Sequence, residues 1–258
     1  MNILMVGDVY GESGRAAVAK LLPKLRREHA IDFCVVNVEN AAGGFGVTAP
    51  IARQILESGA DVMTSGNHIW DKKEIVAYIV KENLLLRPAN FPAGTPGAGH
   101  VTVKCGPHKI AVVNLMGRVF MLPIDCPFRK ADELVPELRS ETPIVLVDMH
   151  CEATSESLAM GWYLAGRVSA VVGTHRHVQT ADERILPGGT AYITDLGLTG
   201  PTDGVIGVDR DQIIQRFLQQ MPIRFETAKG PAALQGVVIV VDPDTGRSSS
   251  IRRLSVPA

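Results

Sequence analysis

Asp61-Val62-Met63-Thr64-Ser65-Gly66-Asn67-His68 is an apolar run that stops at a glycine and delivers an amide and an imidazole directly after it. A short apolar run closed in this way reads as a buried strand whose end presents polar groups at a sheet edge. The same order recurs four more times: Ile3 to Gly7 ends in Asp8, Phe33 to Val38 in Glu39-Asn40, Ile144 to Met149 in His150, and Val168 to Gly173 in Thr174-His175-Arg176-His177. Open α/β sheets build their sites outside the carboxyl ends of strands, so these groups are expected to meet along one edge.

Around that stretch the N-terminal part alternates strand and helix. Val18, Leu21, Leu22 and Leu25 give Arg15 to Glu28 a helical period; Ala49 to Ser58 is a short helix with Pro50 in its first turn; Trp70-Asp71 to Val80 is a third, with Asp71 as N-cap. This βαβαβα pattern predicts parallel pairing and right-handed crossovers. Gly43-Gly44-Phe45-Gly46 reads as a flexible loop, and Arg87 to Gly97 is too rich in proline and glycine for a regular element. Val101 to Lys104 and Lys109 to Leu115 flank Gly106-Pro107 as a hairpin, which predicts a second sheet. Helices are then expected at Phe128 to Arg139, Ser155 to Ala165 and Arg210 to Gln220, and strands at Thr142 to Met149, Val168 to Gly173 and Thr190 to Thr194. A hairpin of Gln235 to Val241 and Ser250 to Val256 about Pro243-Asp244-Thr245-Gly246 closes the chain.

No Gly/Ser linker or charge run divides the 258 residues, so one domain over 1–258 is expected. A formal net charge of -1 argues against a phosphate-backbone binder working through a broad basic surface and leaves attraction for anions to a local site. Cys34, Cys105, Cys126 and Cys151 lack C-x-x-C spacing and read as reduced, mostly buried thiols. With no basic leader and no apolar stretch of membrane-spanning length, the expectation is a soluble cytoplasmic protein without membrane association. Neither a dinucleotide fingerprint, a P-loop nor a G-x-S-x-G elbow occurs, which argues against nucleotide-cofactor folds and serine hydrolases.

Taken singly, the polar residues have ordinary roles: Asp8 could cap a helix, Asn67 hold a turn, and His150 be a hydrogen-bonded core residue. Together, Asp8, Glu39, Asn40, Asn67, His150, His175 and His177 occupy one position at successive strand ends, and burying so many polar groups without a joint purpose is costly. His175 and His177, two apart on an extended segment, would share a face with Arg176 opposite. Two carboxylates, two amide oxygens and three imidazoles are too many for a single tetrahedral zinc and suit a pair of first-row metal ions. Two divalent ions against two carboxylates leave positive charge for a hydroxide and an anionic substrate such as a phosphate ester.

The succession Gly7-Asp8, Glu39-Asn40, Gly66-Asn67-His68, His150 and Gly173-Thr174-His175-Arg176-His177 resembles the calcineurin-like metallophosphoesterases, and more closely their YmdB-like branch. Further matches lie at Asn37 to Asn40, Thr64 to Asp71, Thr174 to Asp182 and Tyr192 to Gly207. Tyr10 stands where the broad superfamily usually has a histidine, and Glu39-Asn40 where it has aspartates; the YmdB-like branch shares both departures. The resemblance implies an α/β fold, a four-layer α/β/β/α sandwich with two mixed sheets. It also implies a metal-dependent phosphodiesterase that hydrolyses cyclic nucleotides, 2',3'-cyclic nucleotides above all. A hydroxide bridging two iron or manganese ions would attack, with zinc also compatible. By the same resemblance Asp8, Glu39, Asn40 and His177 hold one metal, and Glu39, Asn67, His150 and His175 the other, with Glu39 bridging. His68 becomes the proton donor to the leaving oxygen. A nucleotidase or phosphomonoesterase on the same metals, and a regulatory RNA-binding protein with structural metals, are the alternatives. RNA ends are a further substrate class, and exposed apolar loops leave homo-oligomerisation open. The loops Arg87 to Gly99 and Gly200 to Gly207 either gate the site or cross the surface.

Overall fold

The computed structural model describes residues 1–258. In chain order the N-terminal elements are β1 (Asn2–Val6), β2 (Asp8–Val9), α1 (Gly11–Glu28), β3 (Phe33–Asn37), α2 (Ala49–Glu57), β4 (Val62–Thr64) and α3 (Ile75–Ile79). Then come β5 (His100–Cys105), β6 (His108–Met116), α4 (Pro127–Glu141), β7 (Val145–His150), α5 (Thr154–Leu164) and β8 (Ala170–Thr174). The chain ends with β9 (Arg184–Leu186), β10 (Thr190–Ile193), β11 (Leu198–Pro201), α6 (Arg210–Gln219), β12 (Ala232–Val241) and β13 (Ser248–Pro257).

The strands form two mixed sheets. The first runs β2-β11-β12-β1-β3-β4 with β13 also on β12, and the second runs β5-β6-β7-β8-β10-β9. As the alternation of strand and helix predicts, β1, β3 and β4 pair in parallel; the closing hairpin joins antiparallel, β12 against both β1 and β13.

Period two along each strand sorts its side chains between two faces. Leu4, Cys34, Val36 and Met63 face outward onto Val18, Leu22 and Leu25 of α1, Ile55 of α2 and Ile79 of α3. Their neighbours Ile3, Met5, Phe33, Val35 and Val62 face inward and pack on Ile110, Val112, Leu146, Ala170 and Val172 of the second sheet. The outer face of that sheet, with Val113, Val145, Val147 and Val171, is covered by α4 and α5 through Val135, Leu138, Met160 and Leu164. Three apolar layers therefore separate four layers of structure, the α/β/β/α sandwich expected. No helix is long and apolar enough to cross a membrane.

Three local expectations change, and two strands appear that the sequence reading did not foresee. Helix α1 begins at Gly11 rather than Arg15, because Gly14 lets it lie against β11: a Cβ there would come within 2.3 Å of the Thr199 carbonyl oxygen. Helix α3 is confined to Ile75–Ile79, and Asp71 does not cap it but bonds to His68. Strands β9 and β11 are too short to show a period in the sequence. Finally, His175 and His177 do not sit on an extended segment, since their φ angles are 104° and 61°.

Candidate metal centre

The inward face of each central strand changes from apolar to polar at one level. Phe33 and Val35 give way to Asn37, Val62 to Thr64, Val112 to Asn114, Leu146 to Asp148 and His150, and Val172 to Thr174. These polar residues form one buried network. Asp148 accepts hydrogen bonds from Thr64, from Asn37 at 3.0 Å and from Thr174 at 2.7 Å. Burial still holds its carboxyl up at about 6. At its edge, with His150, and immediately beyond it lie the seven candidate ligands.

Their contacts fall into two groups. His150 Nε2 lies 3.1 Å from Asn67 Oδ1, 3.1 Å from His175 Nδ1 and 3.5 Å from Glu39 Oε1. His177 Nε2 lies 3.0 Å from Asn40 Oδ1 and 3.9 Å from Asp8 Oδ1. No three His, Cys, Asp or Glu side chains close on one point by themselves; the amide oxygens of Asn40 and Asn67 complete each group.

The hydrogen bonds behind the imidazoles decide which nitrogen carries the proton. The Thr174 hydroxyl donates to Asp148, so it accepts from His150 Nδ1, 2.9 Å away. His175 Nε2 donates to Glu152 at 2.9 Å, and His177 Nδ1 donates to the Ile206 carbonyl at 2.8 Å. Each ring is left with one bare nitrogen, and the bare nitrogens point at one another or at oxygens. Asn40 cannot relieve this by turning over, because its Nδ2 is already committed to the Gly44 carbonyl at 2.9 Å. Lone pairs facing lone pairs repel unless a cation lies among them.

The carboxylates agree. Asp8 Oδ1 and Glu39 Oε2 are buried without a hydrogen-bond partner, while the second oxygen of each is tied to a backbone N–H, of His175 and His68 respectively. Burial lifts Asp8 from 3.8 to about 7, a cost of roughly 4 kcal/mol to its charged form, and pushes Glu39 well above the carboxylate range. Burial also pushes all three imidazoles down, His175 to about 4, which keeps them neutral as ligation requires. Neutral imidazole nitrogens with carboxylate and amide oxygens are a donor set for first-row transition ions, and the residues fit such ions.

Strain marks the same place. His175, His177 and the β-branched Ile206, at φ 48°, adopt left-handed backbone that such residues rarely accept. Gly66 serves close approach: a Cβ would sit 2.1 Å from His150 Cδ2.

His68 lies beside the donors without joining either group. Its Nδ1 is 2.8 Å from Asp71 Oδ2, and its ring meets Phe45 edge-on at 5.0 Å between centroids. It lines a cavity of about 540 Å³ that opens over His175 and His177. Arg176 also reaches this cavity, but its guanidinium is held by Asp195 at 3.2 Å and by the carbonyls of Cys151, Glu152 and Thr194. The Gly200 to Gly207 loop supports the site through the Ile206 carbonyl. By contrast the Arg87 guanidinium is spent on its own loop, on the carbonyls of Pro88, Thr95 and Pro96.

The supporting residues Asp148, Thr174, Glu152 and Asp71 were not part of the expected ligand set. One signal for them existed: Asp148 stands two before His150, on the same face of a strand.

Four layers with a polar edge between two mixed sheets are the architecture of metallophosphoesterase-type phosphatases. The chain belongs to the YmdB-like protein family, whose sequence model matches residues 4–254. It is 53% identical over 256 residues to the 2',3'-cyclic-nucleotide 2'-phosphodiesterase of Bacillus subtilis strain 168, covering 99% of this chain and 97% of that protein. Among solved structures, a hypothetical protein from Thermus thermophilus superposes with a TM-score of 0.93 at 40% identity, over 100% of this chain and 99% of that one. A phosphatase from Mycoplasma pneumoniae gives 0.94 at 33% identity, over 100% and 93%.

Proposed function

We propose that this protein is a metal-dependent phosphodiesterase of cyclic nucleotides, 2',3'-cyclic nucleotides first among them. The observation that carries the reading is the tautomer pattern: each of His150, His175 and His177 has one nitrogen fixed as a donor and turns the other, bare, into a shared space. The Bacillus subtilis relative supports the substrate class.

In this reading Asp8, Asn40 and His177 with Glu39 would hold one transition-metal ion, and Asn67, His150 and His175 with Glu39 would hold the other. Iron or manganese suits the mixed oxygen and nitrogen donors, with zinc also compatible. When bound, the ions supply Lewis acidity toward phosphate oxygens and a nucleophilic water at neutral pH. The chain's own part begins with Asp8 and Glu39, whose two negative charges leave the pair of ions a net positive charge for an anionic ester. His68, held through Nδ1 by Asp71, presents Nε2 toward the cavity. As water adds to phosphorus and the bond to the leaving ribose oxygen breaks, Nε2 gives that oxygen its proton. Glu39 contributes to placement as well as charge, because Oε1 fixes the backbone N–H of His68. Arg176 is not assigned to phosphate, because its Nη1 and Nη2 are committed to backbone carbonyls and its buried Nε faces Asp195. The four unpaired cysteines suit a reducing, cytoplasmic setting.

Protein purified without chelator should carry two equivalents of transition metal, hydrolyse adenosine 2',3'-cyclic phosphate, and lose that activity on chelation. Preference for adenosine monophosphate would instead make it a phosphomonoesterase, and tight RNA binding without turnover would make it a regulatory binder.

A further inference from the structure

The cavity beside the donors has an apolar wall that phosphoryl transfer does not need. Ile206, Val208, Ile213, Phe225 and Phe45 all line it. Phe45 is 41% and Phe225 37% exposed, so two rings present faces or edges to water at the mouth of a polar site. Exposed apolar surface gathered at a site marks a place a ligand covers.

Charge narrows the ligand. The one arginine in the lining, Arg176, is paired with Asp195, His68 is paired with Asp71, Arg216 behind the Phe225 ring bonds to the Met221 carbonyl, and Glu152 brings a carboxylate to the same lining. Beyond the metal donors and His68, which is assigned to the leaving oxygen, the lining therefore has no unpaired positive group for a second phosphate or a carboxylate, and one group that repels it. A matching ligand carries its charge at the scissile phosphate and is otherwise neutral, flat and apolar-faced. A volume of about 540 Å³ accommodates a mononucleotide.

We infer that this wall is a nucleobase subsite, Phe225 and Phe45 being its aromatic surfaces and Ile206, Val208 and Ile213 its aliphatic backing. It rests on the phosphodiesterase reading of the donor edge and adds how a nucleotide is told from a bare cyclic diester. The base lies on the wall by stacking, a contact that tolerates any base because every base has a π-face.

Calorimetry on the metal-loaded protein separates this from the chemistry. Adenosine 3'-phosphate should bind about tenfold more tightly than inorganic phosphate, the range that one base on one aromatic ring supplies. Phe225→Ala should close that gap and Phe225→Tyr should keep it. In turnover, the ratio of kcat/KM for adenosine 2',3'-cyclic phosphate to that for glycerol 1,2-cyclic phosphate should fall by a similar factor in Phe225→Ala. Equal binding of the two probes by the unaltered protein, or a gap that survives Phe225→Ala, overturns the subsite. An intact gap with no turnover of either diester upholds the subsite and defeats the phosphodiesterase reading.

Discussion

Thr174 holds the proton of His150 on Nδ1: hydroxyl and ring nitrogen are 2.9 Å apart, and the hydroxyl's own hydrogen is spent on Asp148. Asn37 supplies the hydroxyl with its remaining contact at 3.3 Å, so the oxygen is saturated and cannot reverse its role. A carboxylate one residue removed thus determines which nitrogen faces Glu39.

Asp148→Asn tests this relay. An amide at 148 can donate to Thr174, turning the hydroxyl round so that it donates to His150 Nδ1 and moves the ring proton to the ligand nitrogen. Metal affinity at the His150 side should drop by about 10–100-fold, the usual effect of losing a partner behind a ligand histidine. Thr174→Val should do the same by deleting the relay. Metal titration followed by calorimetry checks it, and wild-type affinity in Asp148→Asn would remove Asp148 from the account.

Removing the metals should destabilise the fold, because the repulsion among bare nitrogens and buried carboxylates is then unrelieved. Occupancy at a thousand times Kd contributes about 4 kcal/mol. For a chain of this size that raises Tm by on the order of 10 °C. Scanning calorimetry of loaded and chelated protein reads the difference directly; coincident melting curves would mean the donors hold no ion.

Gly66→Ala should be far more damaging than an ordinary loop substitution. The added methyl carbon would lie 2.1 Å from His150 Cδ2, so either the ring or the Ser65–Asn67 backbone must move. A displacement of this order in a reacting geometry costs about a hundredfold in rate. Activity near that of the parent protein, at matched metal content, would show that the close approach has no bearing on the chemistry.

His68→Ala should lower kcat on an alkoxide leaving group by about 10²–10⁴-fold, the range for loss of a general acid. Metal content should be retained, since His68 touches the donors only through its backbone. With a p-nitrophenyl ester, whose leaving group needs no proton, the loss should shrink to a few-fold. Asp71→Asn should follow the same leaving-group dependence more weakly. Equal losses on both esters would make His68 a binding residue instead of an acid.

The strands that carry the candidate ligands were legible because each is a buried apolar run, and because their ends repeat one order of residue types. The sandwich followed from the βα alternation and from the hairpin at Gly106-Pro107, together with the resemblance. What the sequence hid was local. Asp71 looked like a helix cap, since aspartate before a helical stretch usually is one; in the structure its carboxylate is drawn three residues back to His68. His175 and His177 looked extended because they follow a strand, yet the chain turns into left-handed backbone there, a conformation imposed by tertiary contacts such as the Ile206 carbonyl. Glu152 and Thr174 act through contacts across elements that no local pattern encodes.

The ligands are divided by element type as well as by position. Every candidate oxygen donor, from Asp8 through Asn67, lies on or just beyond the first sheet's strands, and every candidate nitrogen donor, from His150 onward, on or just beyond the second sheet's. A chain synthesised only as far as Asn67 therefore offers hard oxygen ligands, suited at best to weakly held magnesium or calcium. The imidazole donors that favour a transition ion come only from the later half, so the two sheets must pack before nitrogen and oxygen donors meet. Selectivity for a transition ion at this edge would therefore depend on both sheets being packed together, not on either half alone.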